Sequence, residues 1–275
     1  MGIEEKKKIV GIVGSPNKDG LTFRHVNKAL EGVEKAGIET EVIQMSDYLI
    51  DTCHDCLPWV CRENLKCTYN DENFETVAEK ILNCKGLVMG TPVYWGLPSA
   101  QIHLLMIKMV RVYLSKFFSP SGSEHSRPAL GIAVAGGSGR GMLTGLRPMY
   151  HFFRFLQFKA IDPLPVTQFK LDDTETIAEE SGFKIAEMVK NPQFFSGRNE
   201  RVTWYDNLPY LGEPLSVETR LLASTILDSI PDEKKKEIKG NAEQADILAA
   251  AGNALESITE INNICDSGVQ IYMNL

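Results

Sequence analysis

Residues 86–99 read GLVMGTPVYWGLPS, which is a short apolar strand followed by a loop that leads into a helix. The loop, residues 90–99, is unusual for a solvent-exposed connection because it combines two prolines, two glycines and two adjacent aromatic residues, Tyr94 and Trp95. Proline stiffens the backbone, and glycine lets a flat ligand approach it. The two rings add an apolar face beside that backbone. The loop therefore favours a site for a planar aromatic cofactor, and the alternative is an ordinary connection whose aromatic residues fill the core.

The first strand of the chain also runs into an unusual loop. Residues 8–13 are a compact β-branched strand, residues 14–22 are polar and glycine-containing, and a helical pattern follows. A helix N-terminus presents free backbone N–H groups and a positive pole, to which Ser15, Asn17 and Thr22 add side-chain donors. Because the loop matches neither G-x-x-x-x-G-K-[ST] nor G-x-G-x-x-G, it indicates a monophosphate site rather than an ATP or dinucleotide site. The alternative is a plain polar turn.

A third loop, rich in glycine, spans residues 136–141 after a buried strand. The chain alternates helices with five strands, which we place at residues 8–13, 39–44, 86–90, 128–135 and 160–166. This alternation indicates an α/β protein, and we predict a doubly wound five-stranded parallel sheet of order 2-1-3-4-5. In such sheets ligands bind at the carboxyl ends of the strands, where the winding direction reverses. Since the three loops follow strands one, three and four, we expect them to meet in one crevice.

Helical patterns accompany these strands and dominate the end of the chain. We place the later helices at residues 72–82, 98–118, 142–156, 174–190, 216–230 and 242–264. The chain is therefore divided into an α/β domain, residues 1–190, and a mainly helical C-terminal extension, residues 191–275. Apolar stripes on the last two helices indicate that the extension caps the main domain or contacts another subunit, and a lid over the substrate is a further alternative. We expect a homo-oligomer.

The charge of the chain limits its partners. The chain of 275 residues carries 29 Lys and Arg against 36 Asp and Glu, which gives a net charge of −7. This negative charge argues against nucleic-acid binding or binding to an anionic membrane as its main function. No apolar segment of signal-peptide length follows the charged N-terminus. The longest apolar helical pattern, residues 102–118, is interrupted by Lys108, Arg111 and Lys116 and cannot span a bilayer. We expect a cytoplasmic protein without nucleic-acid or membrane partners.

Four of the six cysteines fall in one short segment, at Cys53, Cys56, Cys61 and Cys67. In a chain without an export signal, such clustering favours metal or redox chemistry over structural disulfides. Four thiolates in a short segment can hold a [4Fe–4S] cluster or a tetrahedral zinc ion, with His54 as a substitute ligand. The same residues could instead form a redox dithiol at Cys53 and Cys56, form a disulfide or stay free thiols.

The motifs G-S-P-x-x-x-G-x-T after strand one and T-P-V-Y-W-G after strand three resemble those of the NADPH-dependent FMN reductase family, whose members have the flavodoxin-like fold. The resemblance covers residues 7–190. It implies that the phosphate of FMN is cradled by Ser15, Asn17, Gly20, Leu21 and Thr22. It also implies that the isoalloxazine ring is flanked by Pro92, Val93, Tyr94, Trp95 and Gly96, and closed over by Gly136, Gly137, Ser138 and Gly141.

The cysteine segment resembles one branch of that family, the iron–sulfur flavoproteins, whose compact motif is C-x2-C-x2-C with a fourth cysteine further on. Here the spacing is C-x2-C-x4-C-x5-C, so the middle gap is two residues longer. The resemblance implies a [4Fe–4S] cluster ligated by Cys53, Cys56, Cys61 and Cys67. A second departure lies in the helix after the aromatic loop, where Lys-x-x-x-Asp-Arg of the family, part of its usual dimer contact, is replaced by His103, Ile107 and Lys108.

A bound flavin would carry the redox chemistry itself, so no catalytic side chain is needed. The resemblance therefore implies an FMN-dependent oxidoreductase linked to NAD(P)H or ferredoxin, with a small-molecule or protein electron donor and acceptor. Coupling of the flavin to a [4Fe–4S] cluster is one of the alternatives that the cysteines leave open. Arg140, in the glycine loop, is a candidate contact for a phosphate or for the reduced flavin. A non-catalytic electron carrier or redox sensor is a second candidate function. A third is a flavin-free phosphate-binding domain with zinc at the cysteines.

Overall fold

A mainly parallel sheet forms the centre of the structure, a computed structural model that describes residues 8–56, 60–117 and 126–275. Its strands are β1 (Ile9–Val13), β2 (Thr40–Gln44), β3 (Gly86–Tyr94), β4 (Leu97–Pro98), β5 (Pro128–Ala135), β6 (Lys159–Ala160) and β7 (Leu164–Thr167). The strand order is β2-β1-β3-β5-β6, with β7 also beside β5 and β4 antiparallel to β3. Every residue of β1 and β5 is buried, as expected for parallel strands that are covered on both faces.

The predicted order 2-1-3-4-5, which is that of the flavodoxin-like fold, is confirmed. The predicted number of five strands is wrong, because two of the five are elaborated. The fifth position is shared by β6 and β7, which pair with opposite ends of β5. Between them lies Pro163, which has no N–H group with which to continue a ladder. The third strand extends beyond its predicted end at Gly90 as far as Tyr94 and then folds back as β4.

Helices cover both faces of the sheet. They are α1 (Leu21–Lys35), α2 (Val60–Asn64), α3 (Glu72–Asn83), α4 (Ala100–Tyr113), α5 (Leu146–Phe155), α6 (Leu171–Lys190), α7 (Arg198–Asp206), α8 (Leu215–Ser229), α9 (Asp232–Ala250) and α10 (Ala254–Met273). Alternate residues of β1 divide between two cores. Ile9 and Val13 pack with α1 and α6, whereas Val10 and Ile12 pack with α3, α4 and α5. This alternation follows from the two-residue period of a strand.

Several helix boundaries differ from the predicted ones. The predicted helix 242–264 is two helices, α9 and α10, because the chain turns at Gly252, whose φ of +80° suits glycine. Helix α4 gives way to a 3₁₀ turn, Leu114–Phe117, and its predicted end at residue 118 lies outside the described residues. Among the described helices, none combines the length and apolarity that a membrane span requires.

Helices α1 and α6 cross in direct backbone contact. A Cβ atom built at Gly182 of α6 would lie 1.9 Å from the carbonyl oxygen of Ala29, and one built at Gly32 of α1 would lie 2.1 Å from that of Glu179. Only glycine permits this distance between the two helices. The crossing places α1, and therefore the loop that precedes it, at a fixed position on the sheet.

We predict that Gly182→Ala destabilises the protein by ~1–3 kcal/mol, because the added methyl group overpacks the crossing. The matched control is Gly240→Ala, which lies in α9 with no atom within 4 Å of a built Cβ. That substitution should stabilise the protein by up to ~1 kcal/mol through helix propensity alone. Urea unfolding of both variants measures the difference, and equal effects of the two would contradict the contact.

Candidate functional site

The carboxyl ends of β1, β3 and β5 lie side by side at the point where the winding of the sheet reverses. Val13 pairs in register with Gly90, and the next residue of β3, Thr91, pairs with Ala133 of β5. Just beyond the ladder, the N–H of Gly14 donates to the carbonyl oxygen of Gly90 at 2.8 Å. The structure therefore brings the starts of the three predicted loops together.

The first loop, residues 14–20, is built from local turns. The buried Ser15 accepts a hydrogen bond at its Oγ from the N–H of Asn17 at 3.2 Å, and Asn17 accepts at its Oδ1 from the N–H of Asp19 at 3.1 Å. Helix α1 then begins after Gly20 with neither a side-chain cap nor an acidic residue in its first turn. The first-turn N–H groups and the positive helix pole are therefore left to whatever occupies the loop.

Two predicted members of this loop are placed differently from each other. Thr22 is buried, and its methyl group lies 3.2 Å from a Cβ built at Gly90. Leu21 is half-buried at the start of α1.

The amide nitrogen of the Gln44 side chain donates to the carbonyl oxygen of Ser15, whereas its buried Oε1 has no partner among the described residues. An unpartnered buried acceptor beside the loop is consistent with a ligand that carries hydroxyl groups.

The second loop is a β-hairpin rather than the simple connection that we expected. In this aromatic hairpin, residues 93–98, Val93 pairs with Pro98 and Tyr94 with Leu97. The turn is formed by Trp95 and Gly96, whose φ angles are +54° and +74°. Two successive left-handed residues match the twist of a tight hairpin.

The hairpin exposes its aromatic residues. The side chain of Trp95 is fully exposed and Tyr94 is 54% exposed, whereas the base of the hairpin is closed by Thr91, whose Oγ1 accepts from the N–H of Ser99 at 2.9 Å. The buried Oγ of Ser99 itself has no partner among the residues described. A rigid base and two exposed rings form a ready apolar wall for a flat ligand. Filling of the core, the alternative interpretation of these aromatics, is excluded by their exposure.

The glycine loop extends beyond its predicted end at residue 141 to residue 145, because α5 begins only at Leu146. It backs the hairpin at one end and is open at the other. Gly136 and Gly137 have no atom within 4 Å of a built Cβ, and Ser138 beside them is exposed. In contrast, a Cβ built at Gly141 would lie 3.0 Å from the Cα of Gly96. The predicted member Gly141 therefore supports the hairpin, whereas the other three predicted members face solvent.

Arg140, which we expected to contact a phosphate or the reduced flavin, binds the C-terminal extension instead. Its guanidinium group donates to Oδ1 of Asn262 at 3.1 Å and to Oδ1 of Asp266 at 3.0 Å, both on α10. The C-terminal extension thus contacts the glycine loop, and Arg140 is a contact between them.

Glu218 of α8 is a residue at this site that we did not predict. The residue is 6% exposed, and its carboxylate accepts from the N–H of Gly141 at 2.6 Å and from the N–H of Thr144 at 3.0 Å. The sequence carries one signal for it, because Glu218 lies one and two turns before Leu222 and Ile226 on the apolar face of its helix. An acid on such a face is buried with hydrogen-bond partners or is destabilising.

The four clustered cysteines line one small pocket of about 20 Å³ together with His54, Tyr69, Lys108 and Arg111. Cys61 is buried, Cys56 and Cys67 are half-buried and Cys53 is exposed. Burial raises the pKa of the Cys61 thiol, and the nearby Cys56 adds to that rise. In the described part of the chain, which omits residues 57–59 of this segment, no three His, Cys, Asp or Glu side chains form a group that could hold a metal ion. The predicted ligands therefore share a pocket without a coordinating geometry.

A buried ion pair attaches the cysteine segment to α4. Lys108 pairs with Asp71, and their side chains are 3% and 2% exposed. Lys108 also donates to the carbonyl oxygen of Asp51 at 3.1 Å, while Asp71 accepts from the N–H of Asp51 at 2.9 Å and from that of Phe74 at 3.0 Å. The two ends of the cysteine segment are thus held at one point on α4. Arg111, one turn further on, pairs with Asp55 inside the segment.

Comparisons with known proteins agree with this architecture. The family model described as NADPH-dependent FMN reductase matches residues 7–164. An iron-sulfur flavoprotein of Methanocaldococcus jannaschii is 32% identical over 148 residues, which are 53% of this chain and 71% of that protein. A second iron-sulfur flavoprotein of the same organism is 32% identical over 146 residues, 53% of this chain and 70% of that protein.

Solved structures show the same fold at low identity. The NAD(P)H:quinone oxidoreductase from Methanothermobacter marburgensis superposes with a TM-score of 0.51 at 12% identity, covering 66% of this chain and 97% of that one. At this identity the likeness shows the fold alone.

We predict that Lys108→Met destabilises the protein by ~3–5 kcal/mol, because it leaves the carboxylate of Asp71 buried without its counter-charge. Lys184→Met is the control, since Lys184 and Asp162 are both more than half exposed and their pair is worth little. Urea unfolding measures both variants. A loss for Lys108→Met no larger than that of the control would show that the buried pair does not anchor the segment.

Proposed function

This chain belongs to the NADPH-dependent FMN reductase family, and we propose that it is an FMN-dependent oxidoreductase whose crevice holds the flavin between the first loop, the aromatic hairpin and the glycine loop. The donor would be NAD(P)H or a reduced ferredoxin, and the acceptor a small molecule or a protein. The observation that carries the proposal is the uncapped N-terminus of α1 beside a hairpin with two exposed aromatic rings.

The phosphate of FMN suits the first loop. A phosphate would accept from the free N–H groups at the start of α1 and compensate the positive helix pole, which no acidic residue of the first turn does. We assign its binding to Ser15, Asn17, Gly20, Leu21 and Thr22. Because Ser15 and Asn17 are already fixed by turns within the loop, little side-chain freedom is lost on binding.

The isoalloxazine ring suits the space beside the hairpin. Each Å² of ring and side-chain surface removed from water contributes about 25 cal/mol, so the exposed Tyr94 and Trp95 would be stabilised by a flat apolar ligand. We assign the ring to Pro92, Val93, Tyr94, Trp95 and Gly96, with Gly136, Gly137, Ser138 and Gly141 on the glycine-loop side. The open backbone at Gly136 and Gly137 leaves room for such a ring.

Bound FMN would supply both hydride and single-electron chemistry. The role of the protein would be to fix the phosphate, to cover one face of the isoalloxazine ring and to leave the other face accessible to a second molecule. No described acid–base side chain is assigned a catalytic role.

We further propose that Cys53, Cys56, Cys61 and Cys67 ligate a [4Fe–4S] cluster. Four thiols are the donor set that iron–sulfur clusters require, and all four line the same pocket. The curated relatives are iron-sulfur flavoproteins by name. Since the thiols lie in one pocket without coordinating geometry, cluster binding would include a local rearrangement of the exposed Cys53 side of the segment. The predicted domain boundary at residue 190, the homo-oligomer and the cytoplasmic location stay predictions.

Asn17→Asp should weaken FMN binding by about tenfold or more, because it adds a negative charge beside the phosphate while its Oδ1 can still accept from Asp19. Asn199→Asp, which adds the same charge on the exposed surface of α7, is the control. FMN titration of the apoprotein measures affinity, and steady-state NAD(P)H oxidation at limiting FMN should fall in parallel. Equal affinities of the two variants would contradict the phosphate site, and absence of turnover with every acceptor would favour a non-catalytic electron carrier.

Cys67→Ser should abolish iron binding by the anaerobically reconstituted protein while FMN affinity stays within about twofold, because the pocket and the crevice are separate. Cys265→Ser is the matched control, since Cys265 is buried in α10 outside the segment. Iron and sulfide analysis checks the outcome. Full iron content in Cys67→Ser, or zinc without sulfide in the unaltered chain, would contradict the cluster.

A further inference from the structure

We propose that the C-terminal extension positions the flavin site, and that Glu218 is the positioning residue through which it does so. The inference rests on the proposed FMN site and assigns a role in it to the helices that follow the α/β domain. It starts from the contacts of one buried carboxylate.

Glu218 holds the two residues of the glycine loop that touch the tip of the aromatic hairpin. Its two oxygens accept from the N–H groups of Gly141 and Thr144 at 2.6 and 3.0 Å. A Cβ at Gly141 would lie 3.0 Å from the Cα of Gly96, and a Cβ at Gly96 would lie 2.9 Å from Oγ1 of Thr144. The position of the hairpin turn, and with it the neighbouring Trp95, therefore depends on the loop conformation that Glu218 fixes.

Other contacts tie the rest of the glycine loop to the same helices. Leu222, one turn after Glu218, packs closely against Gly139. A Cβ built at Gly139 would lie only 2.7 Å from Cδ1 of Leu222. Arg140 is bound by two side chains of α10. The carbonyl oxygen of Gly137 accepts from the side chain of Gln168 at 2.7 Å, and the hydroxyl of Tyr272 donates to the carbonyl oxygen of Gln168 at 3.2 Å. The loop is thus held by the extension at Gly139, Arg140 and Gly141, while Gly136 and Gly137 have no neighbour within 4 Å of a built Cβ.

This arrangement pre-organises the ligand site. A loop that is already fixed loses little freedom when a ligand binds, so the contacts made by the extension strengthen ligand binding without touching the ligand. Glutamine at position 218 has the size of glutamate but only one acceptor oxygen. One of the two loop N–H groups would lose its acceptor in a buried setting, which corresponds to about tenfold in an equilibrium constant.

The test compares Glu218→Gln with Asp228→Asn. Asp228 lies on the same helix and accepts from Nζ of Lys170 at 2.9 Å. Its variant therefore weakens a contact of α8 that does not involve the glycine loop. FMN is titrated into each apoprotein with flavin fluorescence as the readout, and the thermal midpoint of each apoprotein is recorded. We expect about tenfold weaker FMN binding for Glu218→Gln and a change within about twofold for Asp228→Asn.

Unchanged FMN affinity in Glu218→Gln would overturn the inference, even if the thermal midpoint fell, because the role of Glu218 would then be structural only. If the unaltered chain binds no FMN, the proposed function fails first and this inference fails with it. If the unaltered chain binds FMN and the two variants bind equally, only the inference fails.

Hydrogen exchange on the unaltered chain tests the coupling without a substitution. Coupling between two sites is reciprocal, so FMN should slow amide exchange in residues 215–229 of the extension as well as in residues 136–145. Protection confined to the crevice loops, with exchange in α8 unaltered by FMN, would contradict the proposal.

Discussion

The hydrogen bond from the N–H of Gly14 to the carbonyl oxygen of Gly90 fixes the geometry on which the site depends. It joins the ends of β1 and β3 at the point where the sheet reverses its winding, so the first loop and the aromatic hairpin diverge from one place. Both glycines are required by packing, because a Cβ at Gly14 would lie 2.3 Å from Ile102 and one at Gly90 would lie 2.4 Å from Val26. Helices α1 and α4 can therefore close on the strand ends from opposite faces, and the crevice remains between the loops.

The buried strands could be predicted because their causes are local, and their order is that of a common doubly wound sheet. Buried parallel strands are continuous apolar runs, and the residues of β1 and β5 show this without interruption. The fold-back of β3 into β4 was missed, since Trp95 adopts a left-handed φ that its residue type does not suggest. The division of the fifth strand and the break at Gly252 depend on packing and on backbone angles that an apolar pattern does not encode.

The site was predictable only where its residues lie near each other in the sequence. The phosphate-suited loop and the exposed rings follow directly from short motifs. Glu218 was missed because it meets Gly141 across 77 residues of chain, and a single acid on an amphipathic helix has no motif. The same separation misled the interpretation of Arg140, which binds α10. For the cysteines, spacing identified the shared pocket but not its geometry, which depends on the Lys108–Asp71 pair that holds both ends of the segment.

The extension and the crevice form one unit in this account, since helices after residue 190 contact the glycine loop at Gly139, Arg140, Gly141 and Thr144. The central claim is that the crevice holds FMN. Its most direct test is the visible absorption spectrum of the protein purified without oxygen and then incubated with FMN and freed of excess ligand. The account predicts the two absorption bands of oxidised flavin at a ratio of one FMN per chain. A spectrum without the two flavin bands after this treatment, whether the protein is colourless or shows only the broad absorption of a cluster, would contradict it.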